Sequence, residues 1–160
     1  MIDPAFLADF RDTVDRSAAR LLALSAAEAA ARPQPGKWSP KEVIGHLIDS
    51  ATNNHGRFVR AQLQEDMIFA GYEQADWVAV QGYQERRWED LVGLWQALNH
   101  HLAHVMDRAG SAGLTRVRAR HNLEELSWQP PGNGQAATLE YFIRDYVGHL
   151  QHHLRQALPS

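Results

Sequence analysis

Cysteine is absent from the 160 residues of this chain. Its absence excludes a disulfide framework, a protein thiolate as nucleophile and any zinc site built on sulfur, so a bound metal would have to rest on nitrogen and oxygen. Long apolar runs are also lacking, and none approaches the ~20 residues of a membrane-spanning helix. The opening stretch MIDPAFLADFRDTVDR is acidic and amphipathic, without the basic start and unbroken apolar core of a secretory leader, so a cytoplasmic location is expected. Positive charge is scarce. Sixteen Lys and Arg against 19 Asp and Glu leave a formal net charge of −3 with histidines neutral, and the one basic run, Arg116, Arg118 and Arg120, is short. Nucleic acid is therefore not an expected partner, because affinity for it comes largely from cations that neutralise phosphates. One domain over 1–160 is expected, since 44% hydrophobic residues fill a single core at this length. Histidine is plentiful, at nine residues, and the question is which of them are arranged to do chemistry.

Turn residues divide the chain into four long helical segments, which predicts an all-α fold. The first opens at Asp3 as N-cap with Pro4 at N1 and carries Phe6, Phe10, Val14, Leu21 and Leu24 at helical spacing. Ser25-Ala-Ala-Glu28 has capping-box spacing and predicts a short extra turn before Arg32-Pro33-Gln34-Pro35-Gly36 breaks the chain. The second helix starts with the clearest local signal. In Trp38-Ser39-Pro40-Lys41-Glu42-Val43, Ser39 caps, Pro40 takes N1, Glu42 closes a capping box at N3, and Trp38 is placed to staple onto Val43. This helix is expected to run to about Gln64, followed by a connection from Glu65 to Gln84. The third, Glu85 to Arg108, spaces Trp88, Leu91, Trp95, Leu98, Leu102 and Val105 as a heptad seam. A second connection, Gly110 to Ala137, contains the breaker Pro130-Pro131-Gly132-Asn133-Gly134. The fourth helix is capped by Thr138 and runs to Leu158. Two long links and one short one fit a four-helix bundle with crossover connections better than a plain up-down-up-down bundle.

On the fourth helix the apolar face centres on Leu150, and His149 and His153 lie together on its flank. Four residues apart, they can aim two ring nitrogens at one metal ion. Asp145 and Gln156 border the same strip as candidate outer partners, because metal-bound imidazoles donate their second N–H to an oxygen. His100 and His104 share that spacing but point away from the Leu98/Leu102 seam towards solvent. His152 is placed on the polar side, His101 at the seam border, His55 among packing residues and His121 in a loop. On the second helix His46, Ser50, Asn53 and Arg57 form a polar line beside Val43, Leu47, Ala51 and Phe58. Periodicity alone would leave that line in solvent; the functional alternative is that it faces a wet pocket inside the bundle, and spacing does not decide between them.

The run Arg32-Pro33 through Gly36-Lys37-Trp38-Ser39-Pro40-Lys41-Glu42 and Val43-Ile44-Gly45-His46-Leu47-Ile48-Asp49 is paired with the closing His149-Leu150-Gln151-His152-His153-Leu154-Arg155-Gln156. Together these resemble the DinB/YfiT-like superfamily of metalloenzymes over essentially the whole chain. The resemblance implies a four-helix bundle of down-up-up-down type. It also implies a divalent metal, zinc or nickel being the expected ions, on three histidines, which here would be His46, His149 and His153. Relatives are labelled metal-dependent hydrolases or thiol-dependent transferases and isomerases. A small-molecule substrate is therefore expected, with water or a low-molecular-weight thiol as nucleophile.

The chain has no His-Glu-x-x-His, so no glutamate on the ligand helix is ready as general base. Asp49 and Asp145 are the carboxylates left, because Glu42 is accounted for by its capping box, and Asp49 has the alternative role of orienting a ligand or a neighbouring loop. The alternative function is a non-catalytic metal- or ligand-binding bundle. In that case the loop aromatics Tyr72, Trp77, Tyr83 and Trp128 would line a ligand pocket or a dimer face. A homodimer formed through a helix face is the expected assembly.

Overall fold

The structure, a computed structural model, describes residues 1–132 and 136–158. Asn133 and Gly134 of the expected breaker lie outside the described residues. Four long helices carry the fold: α1 (Pro4–Leu22), α3 (Pro40–Leu63), α5 (Trp88–Arg108) and α8 (Leu139–Ala157). Between them lie the short helices α2 (Ala26–Ala30), α4 (Gln74–Gln81), α6 (Ser111–Thr115) and α7 (Leu123–Leu126), with a 3₁₀ turn at Tyr83–Glu85.

The capping residues behave as their chemistry dictates. Asp3, Ser25, Ser39 and Thr138 each accept a backbone N–H from the first turn they precede, and both Ser-x-x-Glu boxes close in both directions. Differences from the sequence reading fall in the connections. The third long helix starts at Trp88 rather than Glu85, because Tyr83–Glu85 tightens into the 3₁₀ turn and Arg87 becomes the N-cap. The expected bare connections contain α4, α6 and α7. None of these three has a side-chain cap bond, which removes the local signal that marks a helix start.

Helix α3 packs against both α5 and α8, while α1 packs against α5 and touches α8. The consecutive long helices α1 and α3 therefore stand diagonally, as do α5 and α8, so the links between them cross an end of the bundle. The core is aromatic at its centre. Phe58 meets Phe142 and Tyr146 edge-on, Phe10 meets Tyr146 likewise, and Trp95 is fully buried. The buried Tyr146 hydroxyl donates to Asn99 Oδ1 at 2.6 Å, and Asn99 Nδ2 donates to the Trp95 carbonyl at 2.8 Å, so these polar groups are satisfied inside the bundle.

Two connections are tied to each other. Met67 N donates to the Arg120 carbonyl and accepts, through its own carbonyl, from Asn122 N. The Asn122 side chain clasps the Phe69 backbone from both sides, at 3.0 and 2.9 Å. Buried Arg118 donates to the Ala61 carbonyl near the end of α3.

At the other end of α3, Glu42 does more than close its capping box. Its carboxylate receives Arg32 Nε and Nη2 at 3.0 and 2.6 Å and Ser39 N at 2.9 Å, which pins the Arg32–Trp38 segment to the helix. The Arg32 hydrogen bond, with the Ser39 N–H, holds the Glu42 carboxyl below the ordinary range against the opposing effect of burial. Glu42→Ala is expected to cost about 2–3 kcal/mol, since it removes a cap partner and a charge-assisted hydrogen bond together. Urea denaturation should show this as a lower midpoint with unchanged slope.

Candidate functional site

Residues 42 to 51 of α3 are all buried, because α5, α8 and the α4 segment surround this part of the helix. His46 consequently faces inward, with no solvent exposure. Across from it, α8 presents His149 and His153 one turn apart. One nitrogen from each of the three rings lies within 4.8 Å of the others, and among the described residues no other three His or acidic side chains converge this way. His46 Nε2 and His149 Nε2 are 3.2 Å apart. Two nitrogens bound about 2.0–2.1 Å from one ion at the tetrahedral angle would be about 3.3 Å apart, so this donor pair fits a divalent metal without rearrangement.

The electrostatics agree with the geometry. Burial, reinforced by the neighbouring His153, lowers His46 to about 3, and burial with the surrounding rings lowers His149 to about 3. Burial lowers His153 as well, against the hydrogen bond its ring donates to Gln156. All three are thus neutral near pH 7, the form in which an imidazole offers a lone pair. Gln156 accepts from His153 Nδ1 at 2.8 Å and donates to His152 Nε2 at 3.0 Å, leaving His153 Nε2 free to face its neighbours. The Trp38 ring lies against His46, centroids 5.1 Å apart, and walls the cluster from that side.

A cavity of about 230 Å³ opens beside His149 and His153. Ser50 and Arg57 of the expected polar line reach it, but Asn53 does not. Its amide donates to the Asp49 carbonyl of its own helix, and Asn54, one position on, lines the cavity instead. Asp145 also lines it, with both carboxylate oxygens engaged by the backbone N–H groups of Trp128 and Gln129 at 2.8 Å. It anchors a loop rather than meeting a histidine. Burial raises its pKa against those two hydrogen bonds.

Asp49 is not at the cavity. It is buried against the 3₁₀ turn, where Oδ1 accepts from the Tyr83 hydroxyl and Gln81 Nε2, each at 2.6 Å. Of the loop aromatics, Tyr72 and Trp128 line the cavity, Trp77 lies outside it, tilted against Tyr72, and Tyr83 is buried over α3. Burial pushes the Tyr72 hydroxyl up to about 12, so it stays protonated and can donate.

His152 is the residue that sequence reasoning placed in solvent and the structure places on the cavity wall, half-buried beside Trp128 at 5.2 Å. No signal on α8 could have found it, because the covering ring comes from the connection before that helix. The remaining histidines sit elsewhere. His100 meets Asp15 at 2.7 Å, His104 is exposed, and His55 and His101 pair across α3 and α5 with Nε2 atoms 3.2 Å apart and, among the described residues, no third ligand.

No curated protein matches the sequence. Among solved structures the chain is similar to YfiT from Bacillus subtilis, described as a probable metal-dependent hydrolase with an unusual four-helix bundle topology. The two share 18% identity, with a TM-score of 0.71 over 96% of this chain and 85% of that one, which is a likeness of fold. A family model described as the DinB superfamily matches residues 9–157. With that match spanning nearly every residue from the first long helix to the last, and with a bundle of the same fold, the chain belongs to the DinB superfamily.

Proposed function

We propose that the protein is a metal-dependent hydrolase of small molecules, with a divalent ion, zinc or nickel, held by His46, His149 and His153. The observation that carries this reading is the convergence of three neutral, largely buried imidazoles beside a polar cavity. Three protein nitrogens leave a coordination position free, the arrangement of a reacting centre rather than a closed structural one. The ion would supply Lewis-acid activation of water at neutral pH.

The chain's own residues do the rest. Gln156 fixes the ring of His153, Trp38 keeps bulk water from His46, and Asp145 holds the Trp128 loop over the cavity. Ser50, Tyr72 and Arg57 present donors to whatever occupies it. A low-molecular-weight thiol is the other nucleophile this centre would activate, and with no cysteine in the chain its sulfur would arrive on the partner molecule.

Untagged protein, loaded with zinc or nickel and desalted, is expected to hold about one ion per chain. It should hydrolyse members of an ester and amide panel, lose turnover on chelation and regain it on reloading. Absence of any retained ion, or turnover indifferent to chelator, would overturn the reading. Stoichiometric metal without turnover of esters, amides or thiol adducts would make the chain a binding bundle instead.

A further inference from the structure

The cavity beside the histidines holds a charge that the protein leaves unbalanced. Arg57 lines it, and only 5% of the residue is exposed to solvent. Among the described residues its guanidinium has two acceptors, both neutral. Nη2 donates to the Ala70 carbonyl at 2.7 Å and Nη1 to Asn54 Oδ1 at a long 3.4 Å, and no carboxylate lies within ion-pair distance. The Tyr72 ring lies 5.9 Å from its centre. A guanidinium has five N–H donors in a planar fork, so donors remain for a cavity occupant. Burying a cation without a counter-charge is costly, and proteins do so where a ligand supplies the missing charge.

The other groups facing the cavity narrow the ligand. Of the described residues that line the cavity, Arg57 is the one arginine or lysine. The Asp145 carboxylate has its oxygens turned to two backbone N–H groups, and Glu125 stands exposed at the rim. Two acids near one cation oppose a doubly charged guest and leave room for a single negative charge. Phe142, Tyr146, Leu126 and Trp128 give part of the wall apolar and aromatic surface, beside the neutral polar side chains of Ser50 and Asn54. We infer that Arg57 is a subsite for the carboxylate of a small, singly charged acid with an apolar or aromatic body, and that this group fixes the substrate beside the histidine cluster.

As a statement about substrate the inference rests on the proposed reading of that cluster, but its test does not need the metal. Binding of benzoate and of its neutral isostere benzamide is measured by calorimetry on metal-free protein at pH 7 with chelator present. Benzoate is expected to bind at least about tenfold more tightly than benzamide, the effect of one charge-assisted contact in a dry site. Arg57→Gln should abolish that preference, and Arg57→Lys should retain part of it. If Arg57→Gln fails to fold, the wild-type comparison and Arg57→Lys decide alone. Equal binding of the two probes, binding of neither, or a preference unchanged in Arg57→Gln would each overturn the inference. A benzoate preference together with failure of the chelator-free protein to retain zinc or nickel after loading would sink the hydrolase reading while leaving the subsite intact.

Discussion

Replacing His149 with alanine is expected to weaken divalent-ion binding by more than about 100-fold, because changes to outer partners alone cost about 10–100-fold and the proposed centre has His149 as an inner donor. Gln156→Ala, which frees the His153 ring to turn, should fall within that smaller range. Calorimetric titration with zinc checks both, and equal affinity in wild type and His149→Ala would remove His149 from the centre. The same residues predict how the metal-free chain responds to acid. In the folded protein burial keeps His46 and His149 unprotonated down to about pH 3, whereas in the unfolded chain they titrate as ordinary imidazoles. Below about pH 6.5 the unfolded state therefore binds more protons, and stability must fall as pH falls through the window between 6.5 and 3. The loss between pH 7 and pH 5 is expected to be on the order of 4 kcal/mol, the two groups each contributing up to about 1.4 kcal/mol per pH unit below about pH 6.5. His46→Ala should flatten the slope, which denaturant melts at pH 7, 6 and 5 would read directly.

A second large effect is expected one residue earlier. A methyl group on Gly45 would stand 2.1 Å from Tyr83 Cδ2, well inside contact distance. The ring has nowhere to retreat, since it is buried and its hydroxyl donates to Asp49. Gly45→Ala should cost about 2–4 kcal/mol despite the roughly 1 kcal/mol that alanine gains in a helix interior. Gly93 provides the control. It is exposed on α5 with no atom within 4 Å of its missing Cβ, so Gly93→Ala should stabilise by about 0.5–1 kcal/mol. Thermal melts of the two variants are expected to move in opposite directions. A neutral Gly45→Ala would mean that Tyr83 does not pack on α3 as described.

These two glycines show what the sequence could and could not disclose. Local chemistry was legible: Ser39 with Glu42, Ser25 with Glu28 and Thr138 all cap as their spacing says, and the four long helices follow. The pairing of His149 with His153 was also legible, since one helical turn separates them. The inward turn of His46 was not available from periodicity, because α3 is packed on nearly every side between residues 42 and 51 and has no solvent stripe to mark a face. Asn53 and Asn54 differ by one residue, or about 100° of rotation, which sequence spacing could not choose between. The surroundings of His152 and Asp49 were not legible, for a common reason. Their partners, Trp128 for one and Tyr83 with Gln81 for the other, lie in connections whose path depends on tertiary packing.

The clasp of Asn122 on the Phe69 backbone has a further consequence for motion. Because the two connections are bonded to each other, neither can lift from the bundle without breaking the Met67, Phe69 and Asn122 hydrogen bonds in the same event. The two connections are therefore expected to part in one cooperative event rather than bond by bond. In hydrogen exchange the amides of Met67, Phe69 and Asn122 should share a single opening rate, though more than 50 residues separate the first from the last.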